Sequence, residues 1–530
     1  MESSSVSTAQ PWRPAVNPWL IAVVVSMAAF MEVLDTSIAN VALPYIAGNL
    51  GASNDESTWV LTSYLVSNAI VLPISGWFAG VFGRKRFFMM CLGIFTLASL
   101  LCGIAPSLGA IILFRVLQGL GGGGLQPIAQ AILADSFPPR QRGVAFALYG
   151  ITTVVAPTVG PTLGGWITDN YTWRWIFFIN LPVGILAWFL VLRLVEDPPW
   201  AKRARGAGVR IDYIGVSLLI IGVGALQIIL DKGQEDDWFG STFITTLAVI
   251  AAAGLLSLII WEWFYKNPIV EVRLFRNLNF LGANAMMFVL GIMLFSSLVM
   301  MPQFLQTLLG YTAESAGLVL SGGGLLLLFL MPLVGTLVSK IQARYIIAFG
   351  WLTLSAAMYY SAVRLNLGIS FGFASLLRVT QVFGLGFLFV PVNLVSYVGM
   401  PPEKSSSVAG LINFMRNIGS SIGTSMVTTL IARRAQVHQV NLSAHLSPGQ
   451  PPFTITAKAL AIRLATSGLD VSRATAQAYD RLYRQLIVQA TTLAYVDTYF
   501  VLAVGAAIMF LLSFALRKND PGAGGEVAAG

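Results

Sequence analysis

Long apolar stretches recur along this chain and restrict what it can fold into. About 20 apolar residues let a helix cross the hydrocarbon layer of a bilayer, and we count about fourteen such stretches. Only 10% of the residues are charged, against about 25% in soluble domains. The alternating pattern of barrel strands, the other way to satisfy a backbone in lipid, is not found. The sequence therefore predicts an all-α integral membrane protein. The predicted spans lie near 18–40, 58–78, 87–106, 110–134, 143–165, 174–194, 212–230, 241–264, 279–303, 314–338, 345–363, 371–398, 405–432 and 495–516.

The basic residues of the loops predict how the spans are oriented. Lys and Arg follow every second span, whereas the loop 41–57 has none and the loop 231–240 is acidic; Arg364 is the one exception. Because Lys and Arg stay on the cytoplasmic side, both termini are predicted to be cytoplasmic. The net charge of +9 follows this topology and does not indicate a nucleic-acid partner. The basic loop residues are Arg84, Lys85, Arg86, Arg140, Arg142, Lys202, Arg203, Arg205, Arg210, Lys266, Arg273, Arg276, Lys340, Arg344, Lys404, Arg517 and Lys518.

An internal repeat divides the chain into two halves. Arg115 and Gln118 of the fourth span recur 263 positions later as Arg378 and Gln381. Two similar bundles with a site between them are the architecture of an alternating-access carrier. The further matches are Pro138-Pro139 with Pro401-Pro402, Gly160 with Gly423, Pro73 with Pro332 and Gly76 with Gly335.

The repeat predicts two six-helix bundles separated by two inserted transmembrane helices. In the second bundle, an extracytoplasmic loop at 433–494 is expected, with a helical stretch near 455–488. The predicted parts are a cytoplasmic tail at 1–17, a bundle at 18–194, a cytoplasmic linker with the inserted helices at 195–276, a bundle at 277–516 and a cytoplasmic tail at 517–530.

Two acidic residues lie inside the first predicted span. Glu32 and Asp35 are three residues apart and therefore share one helical face. A carboxylate at the centre of a membrane helix costs about 2.5–3.5 kcal/mol, and two close carboxylates do not easily both stay ionised in a low-dielectric site. Both are candidates for proton coupling, and Glu32 also for attracting a cationic substrate. The alternative is a structural hydrogen bond, for Asp35 with Thr36 or a backbone donor.

Three arginines are predicted to lie inside the bundles. Arg115 needs an anionic or carbonyl partner because it is a buried cation, and Arg378 and Arg416 pose the same question in the second half. For each of them a static ion pair is the alternative to a functional role.

Glycines and prolines cluster at 156–165 in the fifth span. Small residues let membrane helices approach closely, while Pro157 and Pro161 remove backbone donors and kink helices. The segment is predicted to be a bending hinge or a close-packing surface. The glycines at 121–124 lack the Lys-Ser/Thr ending of a phosphate-binding loop, so we expect tight packing there.

Several of these motifs together carry a family resemblance. They are the segment Leu34–Pro44, Arg115 with Gln118-Gly119, and the segments 156–165, 173–182 and 267–270. The chain resembles the fourteen-span drug:proton antiporters of the major facilitator superfamily, of the EmrB/QacA type, over essentially its whole length. The matching residues are Thr36, Asn40 and Pro44 in the first-helix motif and Pro157, Gly160, Pro161, Gly164 and Gly165 in the antiporter motif.

The loop after the second span fits the superfamily less completely. Gly76, Gly83, Arg84 and Lys85 are similar to its cytoplasmic gate loop, but Gly80 stands where the superfamily usually has an acidic residue. The sequence therefore does not predict whether this chain has the charge relay that is attributed to that motif.

The resemblance implies a function that we state as an expectation. It implies a proton-coupled multidrug efflux antiporter of a bacterial inner membrane, without a cofactor, that exports hydrophobic, cationic or amphipathic compounds by alternating access. It also implies that Arg115 tunes a carboxylate through its protonation. In the EmrB branch, a loop at the position of 433–494 accompanies a periplasmic adaptor protein and an outer-membrane channel. A simple cover over the outer mouth is the alternative.

A substrate cavity is expected to draw on the polar residues of the spans. The candidates are Gln118, Gln126, Asn413 and Arg416. His438 and His445 lie in the 433–494 segment without a Cys or carboxylate cluster, so we predict no metal site.

Three other functions stay open on the sequence. A carrier of the same fold could export a metabolite, a fatty acid or a siderophore. A membrane-embedded enzyme is less favoured, because no span contains His and no nucleophile or zinc-protease motif is present. A channel or scaffold would lack the counterflow that a carrier shows.

Overall fold

A computed structural model of the chain describes residues 14–199, 211–444, 446 and 450–517. The expectations for the tails at 1–13 and 518–530 lie outside these residues. So do those for His445 and for four basic residues of the linker, Lys202, Arg203, Arg205 and Arg210.

Fourteen long helices, labelled α1 to α14 in chain order, account for most of the described residues. They are α1 (Pro18–Leu50), α2 (Trp59–Phe82), α3 (Arg84–Gly103), α4 (Leu108–Ser136), α5 (Pro139–Asn170), α6 (Asn180–Leu194), α7 (Tyr213–Lys232), α8 (Thr242–Phe264), α9 (Leu278–Leu309), α10 (Ala313–Leu337), α11 (Ala343–Arg364), α12 (Phe371–Ser396), α13 (Ser405–Ser443) and α14 (Val471–Leu512). The other described helices lie at Asn54–Ser57, Trp175–Phe178, Trp238–Gly240, Val272–Arg276, Pro402–Lys404, Pro451–Thr466 and Ser513–Ala515.

Thirteen helices of the described part are long and apolar enough to cross a membrane. The prediction of an all-helical membrane protein with about fourteen helices is confirmed. Helix α13 is not among these thirteen helices, because it is more polar than they are. It nevertheless packs against α2, α4, α9 and α14, so its polar residues lie among other helices.

The helices pack as two groups with an inserted pair. In the first group α1 contacts α5 while α4 contacts α2 and α3, and in the second α9 contacts α13 while α11 contacts α12 and α14. The groups meet where α2 packs on α13 and α5 on α10. The inserted helices α7 and α8 pack on each other, and α7 also touches α2 and α13.

The segment 433–494 differs from the loop we expected. Helix α13 continues to Ser443 and α14 already begins at Val471, so most of the segment extends two membrane helices. The predicted helical stretch near 455–488 is helical except at 467–470, where the chain turns between the helix Pro451–Thr466 and α14. Gly468, with a φ of 98°, makes this turn possible.

We call the end of the bundle where α1 begins and α14 finishes the terminal end. Trp19 stacks edge-on with Phe137 there at 4.9 Å between ring centroids, and the Arg517 amide donates to Asn279 at 3.3 Å. The opposite end carries the turns after α1 and α7.

Candidate functional site

Asp35 of α1 forms a buried ion pair with Arg115 of α4. The carboxylate oxygen Oδ2 lies 2.5 Å from a terminal guanidinium nitrogen of Arg115, and the two side chains are 1% and 0% exposed. Arg115 Nε also donates to the backbone oxygen of Val60 at 3.0 Å. The predicted need of Arg115 for an anionic or carbonyl partner is thus met by both kinds of group.

Amide side chains satisfy the other oxygen of Asp35. Gln118 Nε2 donates to Oδ1 at 2.9 Å and Asn180 Nδ2 donates to the same oxygen at 2.6 Å. Gln118 in turn accepts from Arg115 at 2.8 Å. Gln118 therefore belongs to this network, and it does not line the cavity for which we had predicted it.

Glu32 belongs to a second network, one helical turn from the first. Its oxygen Oε1 accepts from Tyr64 at 2.8 Å and from Asn68 at 3.0 Å, while Oε2 accepts from Gln126 at 2.5 Å. Arg416 of α13 donates to Gln126 Oε1. The second half of the chain thus reaches Glu32 through a single glutamine.

Tyr64 of α2 joins the two networks. Its hydroxyl donates to Glu32, and its ring lies under the Arg115 guanidinium, whose central carbon is 4.4 Å from the ring centroid. Cations over an aromatic face are stabilised electrostatically. A change in the charge of Glu32 therefore affects Tyr64 directly, and a change in the charge of Asp35 affects it through Arg115.

A cavity of ≈ 350 Å³ begins at Glu32. Gln126 and Arg416 line its base, and its walls come from both halves and from α7. It extends to Glu235, an exposed residue of the turn after α7. The cavity thus reaches the end opposite to the termini, and of the two acids in α1 only Glu32 lines it.

The second half of the chain has an arginine, Arg378, at the position that corresponds to Arg115, but its partner is not a carboxylate. Arg378 of α12 donates to Ser297 Oγ at 2.8 Å and Gln381 donates to Ser361 Oγ at 2.9 Å. Ser297 stands 262 positions after Asp35, close to the offset of the repeat. A hydroxyl therefore occupies in the second half the place that a carboxylate occupies in the first.

Arg84 of the predicted gate loop ties the two halves together at the terminal end. It pairs with Asp135 of α4 and donates to the hydroxyls of Ser405 at 2.8 Å and Ser406 at 3.0 Å. Lys85 binds elsewhere, since its ammonium donates to the Leu192 backbone oxygen at 2.7 Å. Asp135 supplies an acid to Arg84, although Gly80 lacks one.

The glycines of the gate loop allow close approach. Gly83 has a φ of 85°, which favours glycine. A Cβ on Gly76 of α2 would lie 2.5 Å from the Ser407 Cα atom of α13. At the position that the repeat pairs with Gly76, a Cβ on Gly335 would lie 2.8 Å from the Gly143 backbone oxygen. Two related contacts thus close the terminal end.

The antiporter motif packs α5 against α1. A Cβ on Gly160 would lie 2.5 Å from Ser37 Cβ, and one on Gly164 would lie 3.2 Å from the Ile38 backbone oxygen. Pro161 has no N–H for the Pro157 carbonyl, and the Ser37 hydroxyl donates to that carbonyl at 3.2 Å instead. Gly165 differs from these glycines, because a Cβ there would have no atom within 4 Å.

The remaining predicted residues are dispersed. Thr36 lines the cavity and donates to the Val33 backbone oxygen at 2.8 Å, whereas Asn40 and Pro44 of the same motif are exposed. Asn413 is buried and donates to Gln130 Oε1 at 2.8 Å, outside the cavity lining.

Sequence reasoning missed four residues that complete the two networks. They are Tyr64, Asn68, Asn180 and Tyr149, whose hydroxyl donates to Gln126 Oε1 at 3.1 Å. All four are polar residues inside apolar spans, and that unusual placement was the available signal. In the described part of the chain, no group of three or more His, Cys, Asp or Glu side chains is placed to hold a metal ion.

Comparison with known proteins agrees with this geometry. The sequence profile of the Major Facilitator Superfamily matches residues 25–424. The chain belongs to this superfamily. The fold also matches that of the proton:xylose symporter XylE with a TM-score of 0.62 at 12% identity, over 94% of this chain and 96% of the symporter.

Relatives place the chain in the EmrB group of the superfamily, which confirms the resemblance. Multidrug export protein EmrB of Escherichia coli K12 is 36% identical over 507 residues, 96% of both chains. Multidrug export protein EmrB of Haemophilus influenzae is 40% identical over 432 residues, 82% of this chain and 84% of that protein. Fatty acid resistance protein FarB of Neisseria gonorrhoeae is 39% identical over 464 residues, 87% of this chain and 89% of that protein.

Proposed function

We propose that this chain is a proton-coupled exporter of hydrophobic drugs, cationic or amphipathic, that works by alternating access. The names of the EmrB relatives support drug export. The single observation that carries the proton role is Glu32 at the base of the cavity, linked through Tyr64 to the buried pair of Asp35 and Arg115.

The two acids have different parts in the proposed cycle. Glu32 exchanges protons with the cavity and competes for them with a cationic drug, because the ionised carboxylate attracts the cation and the protonated one does not. Asp35 responds next, since a proton on it weakens the bond to Arg115. Tyr64, which touches both networks, carries the change from one to the other.

The proton supplies about the energy that this cycle requires. Moving one elementary charge across a membrane potential of 100 mV releases about 2.3 kcal/mol. A potential of about 150 mV therefore supplies about 3.5 kcal/mol for each proton that enters. Breaking one side of a buried ion pair costs about 3–5 kcal/mol. One proton can therefore offset most of the cost of loosening Asp35 from Arg115.

The terminal end is proposed to be the cytoplasmic side of a bacterial inner membrane. Arg84 and Lys85 lie there, and Lys and Arg are retained in the cytoplasm. The conformation described is then closed to the cytoplasm by the contacts of Arg84, Gly76 and Gly335, with the cavity facing outward. Drug would be released in this state.

A periplasmic adaptor protein and an outer-membrane channel are proposed as partners. The part of α13 beyond Arg434, the helix Pro451–Thr466 and the start of α14 extend past the opposite end of the bundle. Several apolar side chains on them are exposed, among them Val440 at 68% and Ile462 at 64%. A helical projection with apolar contacts suits a protein partner better than a simple cover.

A fatty acid or another carboxylate is the second candidate substrate. Arg416 lines the cavity beside Gln126, and arginine is well suited to bind carboxylates. FarB is a relative named for fatty acid resistance. Arg416 would then bind the carboxylate of the substrate, whereas Glu32 would bind the positive charge of a cationic drug.

Counterflow in proteoliposomes tests the proposal. Purified protein preloaded with unlabelled ethidium should take up labelled ethidium transiently, and an imposed proton gradient should drive net uptake. A channel shows no counterflow, and a membrane enzyme moves no probe. Uptake that is equally fast after the proton gradient is collapsed would contradict proton coupling, while counterflow of oleate alone would favour the second candidate.

A further inference from the structure

Helix α7 belongs to the inserted pair, yet one of its faces lines the cavity. Gln227 and Asp231 are four residues apart in α7, Gln234 lies in the turn just after it, and all three line the cavity. Residues with this spacing share one side of a helix. The cavity therefore has a wall that neither repeated bundle provides.

This wall is attached to the first half of the chain. Asp231 accepts a hydrogen bond from the Thr62 hydroxyl of α2. The Lys232 ammonium donates to the Asp55 backbone oxygen at 3.2 Å and is 2.6 Å from the Glu235 carboxylate. Lys232 is thus directed to the short helix Asn54–Ser57 before α2 and to Glu235, and it does not line the cavity.

The same wall also contacts the second half. Gln227 is 1% exposed, and its Nε2 donates to Ser421 Oγ of α13 at 2.8 Å. The Ser421 hydroxyl also lies 3.2 Å from Gln227 Oε1. Helix α7 therefore stands against both halves, in the space between α2 and α13.

The charges that face the cavity are unequal in number. Glu32 at the base and Asp231 and Glu235 nearer the mouth are acidic, whereas Arg416 is the one basic side chain among the described residues that line it. Clefts lined by one sign of charge raise the local concentration of the opposite ion. A cation that leaves Glu32 meets Asp231 before it reaches the outside.

We infer that α7 is part of the substrate site and that Asp231 makes the cavity select cationic over neutral amphipathic substrates. The inference rests on the proposed export function and gives the inserted helix a part in it. Gln227 holds the wall against α13, and Asp231 contributes the charge.

The test uses the full chain in proteoliposomes with two probes, the permanent cation ethidium and the neutral N-phenyl-1-naphthylamine. Asp231→Asn should raise KM for ethidium about tenfold, as expected for one lost favourable charge contact, and should leave KM for the neutral probe unchanged. Asp231→Glu, which keeps the charge, should retain the preference for ethidium. Ethidium binding to purified protein, followed by fluorescence, repeats the measurement without transport.

Asp236→Asn is the matched control, because Asp236 is an exposed acid of the same turn that does not line the cavity. An equal effect of both asparagine variants would assign the effect to surface potential and overturn the inference. So would an equal loss for both probes in Asp231→Asn, which indicates a structural role. If the unaltered protein binds ethidium but transports neither probe, the export proposal fails, and the binding data alone decide the role of Asp231.

Discussion

Asp35 and Arg115 lie 2.5 Å apart inside the first group of helices, and neither lines the cavity. Their separation from the cavity makes the pair a component that responds to substrate or protons only through neighbours. Tyr64 provides such a connection, because it lines the cavity and its ring lies under the Arg115 guanidinium.

Asp35→Asn should abolish proton-driven uptake of ethidium into everted vesicles. The variant removes the charge that compensates Arg115, and breaking a buried pair costs about 3–5 kcal/mol. We therefore also expect a lower thermal unfolding midpoint of the purified protein. Adding Arg115→Gln should recover much of the stability and none of the uptake. Normal uptake by Asp35→Asn would remove this residue from the mechanism.

Glu32→Gln should remove the pH dependence of ethidium binding. In the unaltered protein, binding should weaken as pH falls, because protonation of Glu32 removes the negative charge that attracts the cation. The variant has no such charge, so its affinity should be about tenfold weaker at pH 8 and constant down to pH 5. Fluorescence titration of purified protein measures both. A variant that keeps the pH profile would show that another group titrates.

Gly76→Val should prevent closure of the terminal end. A Cβ at this position would lie 2.5 Å from Ser407 Cα, which is backbone and cannot move aside, whereas a Cβ on Gly80 of the same helix has no atom within 4 Å. In a cysteine-free background, the thiol introduced by Ser75→Cys should react with a maleimide about tenfold faster in Gly76→Val, for a shift of about 1.4 kcal/mol. Gly80→Val should behave like the parent, and equal rates in both would contradict the packing argument.

Arg84→Ala should also favour opening of the terminal end. It removes the ion pair with Asp135 and the hydrogen bonds to Ser405 and Ser406 across the two halves. The same maleimide assay should show faster labelling, together with slower net uptake. Arg86→Ala is the control, because Arg86 is an exposed basic residue in the same first turn of α3. If the two variants label equally fast, net charge and not the contacts of Arg84 controls the closure.

The sequence was sufficient to predict the fold because membrane spans are a local property. Apolar stretches of about 20 residues predicted the helices, and the repeat predicted that α12 would copy α4. Helix α13 was also predicted, as the span 405–432, although it is more polar than the other spans; the sequence did not show that α2 and α9 pack against it.

The site was less predictable because it depends on contacts between distant residues. Glu32 and Asp35 share a helical face, but Asn180, 145 positions after Asp35, and Gln126, 94 positions after Glu32, separate them into two networks. Gln118 and Asn413 were chosen as cavity residues because they are polar, and each instead binds another buried side chain. Polarity showed that these residues have partners, and only the packing shows which.

The 42 residues of α14 form one continuous helix. At 1.5 Å per residue it is about 63 Å long, twice the roughly 30 Å of hydrocarbon that it has to cross. Roughly 30 Å of it therefore projects beyond the hydrocarbon layer. In the proposed rocking cycle, a small tilt of α14 would displace this projecting end farther than the part inside the membrane, and an adaptor protein bound to the end would move with each turnover.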